Sequence, residues 1–442
     1  MNVSLERTAN VTTITHLEKA WITKTLSVSP DSRRVTYAAK GSGRRFFMMI
    51  DGEKQPLLDG IGVVVFSPDS RVAAYAAMLG QEQFVVVDGK KGPSYAVVQQ
   101  ESLTFSPDGR LTYAARKGDQ WVAVVDGAEG KPHEGIRSAA FAFSPDGRHY
   151  AYAASGEGKR FVVADGMAQN DYTEVGALHY SSGGSLAYTA TLNDSHFLVV
   201  NGQEGKPYAE IRAPMFSADG ARLAYPARHA DQWMMVVDGN DGPTYDEVGE
   251  PLFNEDGMRL AYPARRGEDW FVVLDGEELQ PLAGIGRLCF SPDGTRFAYK
   301  AMQAEKAFLR QINKYFAVLD GAAGPSYHGI GETGFTFSPD NQHFVYLAHD
   351  KDHVFVVLDG EESLRFDSIG AGTPLFSPDS RHVAYVAEHE NRFTVIVDDE
   401  PGEIYKAIVL RSGGKLIFDA ADQFHYLALQ GQEIVLVEEE II

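Results

Sequence analysis

One turn recurs through the chain at a nearly constant interval, and that interval limits the fold more than any other feature. Ser-Pro-Asp followed by Gly, Ser or Asn places its aspartate at Asp31, Asp69, Asp108, Asp146, Asp293, Asp340 and Asp379. Degenerate copies fill the gaps at Ser182-Gly183-Gly184, Ala218-Asp219-Gly220, Glu255-Asp256-Gly257 and Ala421-Asp422-Gln423. The eleven marks are spaced by 36 to 39 residues, except for single steps of 47 and 43. A second marker, Asp-Gly after an apolar run, falls at Asp51, Asp88, Asp126, Asp165, Asp238, Asp275, Asp320 and Asp359, with Asn201 and Asp398 in the same place. A fixed period of this length is the signature of a repeat architecture.

Each unit reads as four short strands. Strand A precedes the turn, as in Ser102-Leu103-Thr104-Phe105, and strand B follows it, as in Arg110 to Ala115. The turn residues fit their places: Ser first, Pro with its preset φ second, Asp third, Gly fourth. A polar hairpin leads to strand C, for example Trp121 to Val125, and Asp-Gly closes it. Strand D is expected to begin at a tyrosine, as at Tyr95, Tyr172, Tyr208, Tyr245 and Tyr327. Strand C is apolar at every position in Phe84-Val85-Val86-Val87 and Phe355-Val356-Val357-Leu358. A strand with one wet face would alternate, so both faces are covered. No helical segment is available, so sheet must cover sheet, which predicts an all-β propeller of about eleven four-stranded blades.

The spacing shows no inter-domain linker. A single ring with a wide central tunnel, one domain over 1–442, is therefore the reading adopted, with two smaller propellers in tandem as the alternative. The last unit stops after Ile434 to Val437 without a strand D. Residues 13–20 are expected to supply it and so close the open edge, and residues 1–10 are a candidate for disorder.

Composition narrows the role. Asp plus Glu outnumber Lys plus Arg by 61 to 40, a net charge of −21, which disfavours nucleic acid and anionic membrane surfaces as partners. The 44 glycines suit a chain of many tight turns. One cysteine, Cys289, rules out an internal disulfide framework. No apolar run is long enough for a membrane span, and the N-terminus has no signal-peptide core. A soluble protein of the cytoplasm is expected, with export after loss of a signal as the alternative.

Phe143-Ser144-Pro145-Asp146-Gly147-Arg148, followed by Ala151-Tyr152, resembles the WD-like propeller repeat of bacterial TolB. It is similar also to blades of prolyl oligopeptidase-type propellers. The resemblance covers nearly the whole chain and implies a propeller that serves as a protein-binding platform. The pattern departs from those families in places. No TolB-type N-terminal domain precedes the repeats, no G-x-S-x-G elbow occurs, and Val-Asp-Gly or Leu-Asp-Gly stands where eukaryotic WD repeats have Trp-Asp.

The candidate sites follow from the loops. The aspartate ladder suggests calcium, but no D-x-D-x-D-G spacing occurs and turn chemistry accounts for it. His349, Asp350, Asp352 and His353 share one B–C loop and His389 lies in the next, a set that suggests zinc or an ordinary polar hairpin tip. Cys289 sits in an apolar strand A, where burial keeps a thiol inert. A triplicated loop is the most specific feature: Arg116 with Trp121, Arg228 with Trp233, and Arg265 with Trp270 flank three B–C hairpins. These are either cation–π clasps that stiffen the hairpin or Arg/Trp recognition hot spots, with the tips of the last two expected side by side. Arg137, Arg212, Glu250, Arg287, Glu332 and Lys415 precede strand A and are expected at the tunnel mouth. No catalytic constellation, metal site or cofactor motif is read. The expected function is non-catalytic binding of a protein or peptide through the B–C loop face and tunnel mouth. A small-molecule or glycan binder is the second reading.

Overall fold

The computed structural model describes residues 5–137, 141–307 and 310–442; side chains are described outside 305–312. Among these residues the helical content is one 3-10 turn, Thr23–Thr25. The rest of the regular structure is eleven antiparallel sheets of four principal strands each, an eleven-bladed β-propeller. No helix of the described residues is long and apolar enough to cross a membrane.

The chain divides into two compact units, Thr15–Pro243 and the N-terminal residues to Ile14 with Thr244–Ile442. The first unit carries blades 1 to 6, at 27–54, 60–95, 97–129, 135–172, 174–208 and 210–245, the last strand crossing the boundary. The second carries blades 7 to 11, at 247–278, 284–323, 329–362, 368–401 and 407–441.

Blade 3 shows the plan. Strand A is Val97–Phe105, B is Leu111–Lys117, C is Gln120–Val125 and D is Ala128–Glu129. Tyr113, Ala114, Ala115, Val122, Ala123 and Val124 are consecutive buried residues on strands B and C. Burial on both faces is what the unalternating apolar runs require. Strand A is longer than the sequence suggests and breaks in the middle: pairing jumps from Gln99–Ala114 to Thr104–Thr112. In six blades the break is wide enough to leave two separate short strands against strand B.

Two corrections concern strand ends. Tyrosine closes strand D rather than opening it, as in Lys90–Tyr95 and Gln203–Tyr208. Strand D therefore follows the Asp-Gly turn directly. The strand that completes blade 11 is Arg7–His16, not 13–20, and it lies along Glu433–Ile441. It takes in Arg7 to Asn10 from the segment read as a candidate for disorder. The shift has a packing cause. Leu17 and Trp21 belong to the core of blade 1, and Trp21 bridges Ala39, so 17–21 is not free to serve blade 11.

The repeated aspartates hold this plan together. In the first marker, the Ser144 hydroxyl donates to Asp146 at 2.5 Å and the Arg148 amide donates to the same carboxylate at 3.0 Å. In the second marker, Asp275 has φ +53° and accepts the Leu260 amide at 2.9 Å, which pins strand B to the C–D turn. Its other oxygen pairs with Arg259 at 2.9 Å, and Arg259 Nη1 donates onward to Gly294 O of blade 8 at 3.0 Å. Arg34 and Arg296 repeat that bridge from Asp51 and Asp320 to the next turn. His149, His343 and His382 pair with Asp165, Asp359 and Asp398. Turn and staple chemistry thus accounts for the ladder.

Candidate functional site

The three Arg/Trp loops share one register, and those of blades 6 and 7 share their contacts as well. Arg116 faces Trp121, Arg228 faces Trp233 and Arg265 faces Trp270 across strands B and C at the stem of each hairpin. In blades 6 and 7 the guanidinium lies 5.8 Å from the ring centroid. On its other side it meets a strand A carboxylate, Glu210 at 3.0 Å or Glu247 at 3.4 Å. It also donates to a carbonyl of its own hairpin tip, Ala230 O at 3.2 Å or Gly267 O at 2.8 Å. Arg212 covers the other approach to Trp233, 4.0 Å from the ring, and leaves that tryptophan 7% exposed. Trp121 and Trp270 are half-buried, and bridges to His133 and Leu282 tie them to the chain beyond strand D. In blades 6 and 7 this geometry is that of internal clasps. The clasp is the alternative to the hot-spot reading, and Trp233, held between strands and covered by arginine, offers little surface to a partner. The Trp233 and Trp270 copies fall in different compact units.

The charged residues at the strand A break differ among themselves. Arg137 and Arg212 occupy a place that is glycine in blades 2, 5, 7, 8, 9 and 10, at Gly62, Gly176, Gly249, Gly286, Gly331 and Gly370. Where that glycine stands, the facing strand B residue is often large: a Cβ on Gly249 would run into the Pro263 ring, and one on Gly331 would lie 3.0 Å from Leu347 Cβ. Exposed Arg287 donates to Glu332 O at 3.2 Å, and the Glu332 carboxylate pairs with Lys300, whose side chain is largely buried. Glu250 and Lys415 are exposed. Arg137 is exposed and donates from Nη1 to Val175 O of blade 5 at 2.9 Å.

The histidine loop resolves into a turn. Asp350 accepts the amides of Asp352 at 3.0 Å and His353 at 2.9 Å, and pairs with Arg365 at 2.9 Å. Those two amides, then Arg365, hold its carboxyl down at about 2. Desolvation, then nearby Lys300, lowers the His349 pKa, and His389 lies 3.9 Å from Asp367. Among the described residues no group of three or more His, Cys, Asp or Glu is placed to hold a metal ion. Cys289 is half-buried and its thiol pKa is raised by burial.

Arg137 leads to a feature the sequence reading missed. It lines a cleft of about 400 Å³ over the B–C hairpin stem of blade 4, with Glu134, Gly135, Ser155, Lys159 and Arg160. An adjoining opening of about 300 Å³ shares Glu134, Ser155 and Lys159 with it, and reaches Gln120 and His133. Lys159 pairs with Asp171 at 3.0 Å and Arg160 with Glu174 at 2.7 Å, all four side chains at least half exposed. Exposed pairs of this kind contribute about 0–1 kcal/mol and exchange partners readily. The signal was present in the sequence: where blades 3, 6 and 7 have Arg facing Trp, blade 4 has Ser155 facing Arg160.

No protein-family model and no curated protein sequence matches the chain. Solved structures do. A eukaryotic initiation factor aligns over 71% of this chain and 89% of its own at 14% identity, with TM-score 0.41. The β-propeller domain of the Trilobed protease from Pyrococcus furiosus aligns over 60% and 94% at 13% identity, TM-score 0.32. TolB from Acinetobacter baumannii aligns over 58% and 77% at 14% identity, TM-score 0.26. The structural neighbours are β-propellers. At these identities the likeness concerns the fold alone.

Proposed function

We propose that this propeller is a non-catalytic platform of the cytoplasm that binds a protein or peptide partner through its B–C hairpin face. The Phe-Ser-Pro-Asp-Gly repeats support a TolB-like, WD-like reading of the blades. The observation that carries the proposal is the contrast between blade 4 and the other hairpins that carry an Arg/Trp pair. In blades 6 and 7 the arginine of the rung is bonded to a strand A glutamate and to its own hairpin tip. At blade 4 the same rung is open, and cationic side chains line the opening. Affinity capture of the tagged chain from its native host tests the reading. A protein that co-purifies reproducibly, and that protects the blade 4 hairpin from hydrogen exchange, supports it. A chain recovered alone, with uniform exchange in the presence of lysate, overturns it. The small-molecule or glycan alternative rests on the cleft volume of about 400 Å³, which lies within the range of ligand pockets. A metabolite that raises the melting temperature with no protein partner recovered would favour that alternative.

A further inference from the structure

One rung recurs at the stem of every B–C hairpin from blade 2 to blade 10: a strand A residue, the strand B residue facing it, and the strand C residue beyond. In blades 6 and 7 the rung reads Glu210–Arg228–Trp233 and Glu247–Arg265–Trp270, and it is filled by the clasp. In blades 2, 8 and 9 strand A has glycine, and a long or cyclic strand B side chain takes the space: Gly60 with Met78, Gly284 with Met302, Gly329 with His349. Met78 Cε and Met302 Cε lie 3.3 and 3.0 Å from the Cβ position of their glycines. Blade 4 combines the two small choices. Gly135 faces Ser155, and Ser155 faces Arg160. No carboxylate stands on strand A and no methionine covers the glycine. The cleft lies over this rung.

What lines it is mostly cationic: Lys159 and Arg160 hold exposed Asp171 and Glu174 at 3.0 and 2.7 Å, and among the described residues Arg137 holds no carboxylate. Arg137, Lys159 and Arg160 line the cleft against a single lining carboxylate, Glu134, in a chain of net charge −21. Among the described residues the Arg137 guanidinium has one bond, to a carbonyl, and no carboxylate partner. Blades 6 and 7 show what such a rung accepts: a glutamate side chain against a guanidinium. We propose that the blade 4 cleft binds an acidic side chain of a partner peptide, which takes the place that Glu210 and Glu247 occupy in their own blades. Arg137 receives the carboxylate, Arg160 joins it by exchanging the exposed Glu174 for the incoming group, and Ser155 leaves the room. The inference rests on the platform reading and names the chemistry of its partner. Charge-assisted bonds to arginine favour a planar carboxylate in two-point contact.

The test uses the full-length chain and a fluorescein-labelled hexapeptide of alternating Gly and Glu, with the Gly/Gln peptide as comparison, read by fluorescence anisotropy. Ser155→Met plugs the cleft with the residue that blades 2 and 8 already use, so its melting temperature is expected to stay at or above that of the parent. Arg137→Ala removes an exposed side chain. The Glu peptide is expected to bind and the Gln peptide to bind at least about tenfold more weakly; each substitution is expected to weaken the Glu peptide about tenfold, and the affinity to fall with added salt. Equal binding of both peptides, binding of neither, or binding unchanged in Ser155→Met overturns the inference. So does full displacement by inorganic phosphate at the concentration of free glutamate needed for the same effect, which marks a small-anion site instead. Capture from the host separates this from the platform reading. A host partner that binds the Ser155→Met chain as well as the parent removes the cleft and leaves the platform standing.

Discussion

The aspartate that follows strand C performs two tasks with one carboxylate. Asp238, at φ +51°, accepts the Leu223 amide at 2.9 Å and the Arg222 guanidinium at 3.2 Å. Asn201 occupies the same place in blade 5, accepts the Leu186 amide at 2.9 Å and tolerates the same left-handed backbone. Asp238→Ala is therefore expected to cost about 2 kcal/mol, through the lost bonds and the strained φ. Asp238→Asn should cost less than half of that, and urea unfolding of both variants checks the order. The tyrosine that ends strand D is a second staple. Tyr208 packs edge-to-face on Tyr225, 6.3 Å between centroids, and its hydroxyl donates to Asp241 at 2.7 Å. Tyr95 and Tyr172 repeat it with Glu129 and Glu204. The Tyr208 bond, ahead of the other causes, lowers the Asp241 pKa. A depressed carboxylate stabilises the fold above its unfolded pKa near 3.8, and that contribution is lost as pH falls through the folded value. Tyr208→Phe is expected to cost about 1 kcal/mol at pH 7 and progressively less below pH 4, read from thermal melts across that range. The turn aspartates were legible from the sequence because turn chemistry is local. The tyrosine staple was not, since Tyr208 and Asp241 meet only when one blade lies on the next, and the acid stands three residues past a marker that drew attention to itself.

Among the elements, the inner strand carries the most variation. Its break sets Gly249 against Pro263 and Gln99 against Ala114, while Arg212 stands against Pro226. Gly249→Ala should cost about 1–3 kcal/mol, because the proline ring it meets cannot turn aside. A chemical-denaturation midpoint shifted with an unchanged slope is the expected signature. The closing strand is the other informative element. Arg7 is buried against Glu439 at 3.5 Å, and Tyr426 donates to that carboxylate at 2.6 Å. Removing residues 1–16 exposes the edge of Glu433–Ile441 and leaves Glu439 without its cation. The truncated chain is expected to melt at least about 5 °C lower than the parent and to aggregate on heating. Calorimetry of the two decides it. The sequence indicated that the N-terminus completes the last blade, because the missing fourth strand is countable. It misplaced the strand because Leu17, read as part of it, packs in blade 1.

At the scale of the molecule, the repeat was the strongest sequence signal and the architecture follows it: eleven marks, eleven blades. The candidate site was the weakest. The triplicated Arg/Trp loops are conspicuous because they recur, and in blades 6 and 7 each arginine is bonded within its own hairpin. Recognition is proposed where the pattern lapses, at Ser155 and Arg160. Hydrogen exchange read along the whole chain tests the central claim most directly, since it reports every blade and the closing strand together. The architecture predicts eleven maxima of protection on strands B and C, fast exchange at the hairpin tips, and amides of 7–16 that exchange as slowly as those of 433–441. A repeat without its maximum, or a 7–16 segment that exchanges at the rate of an unfolded peptide, would contradict it.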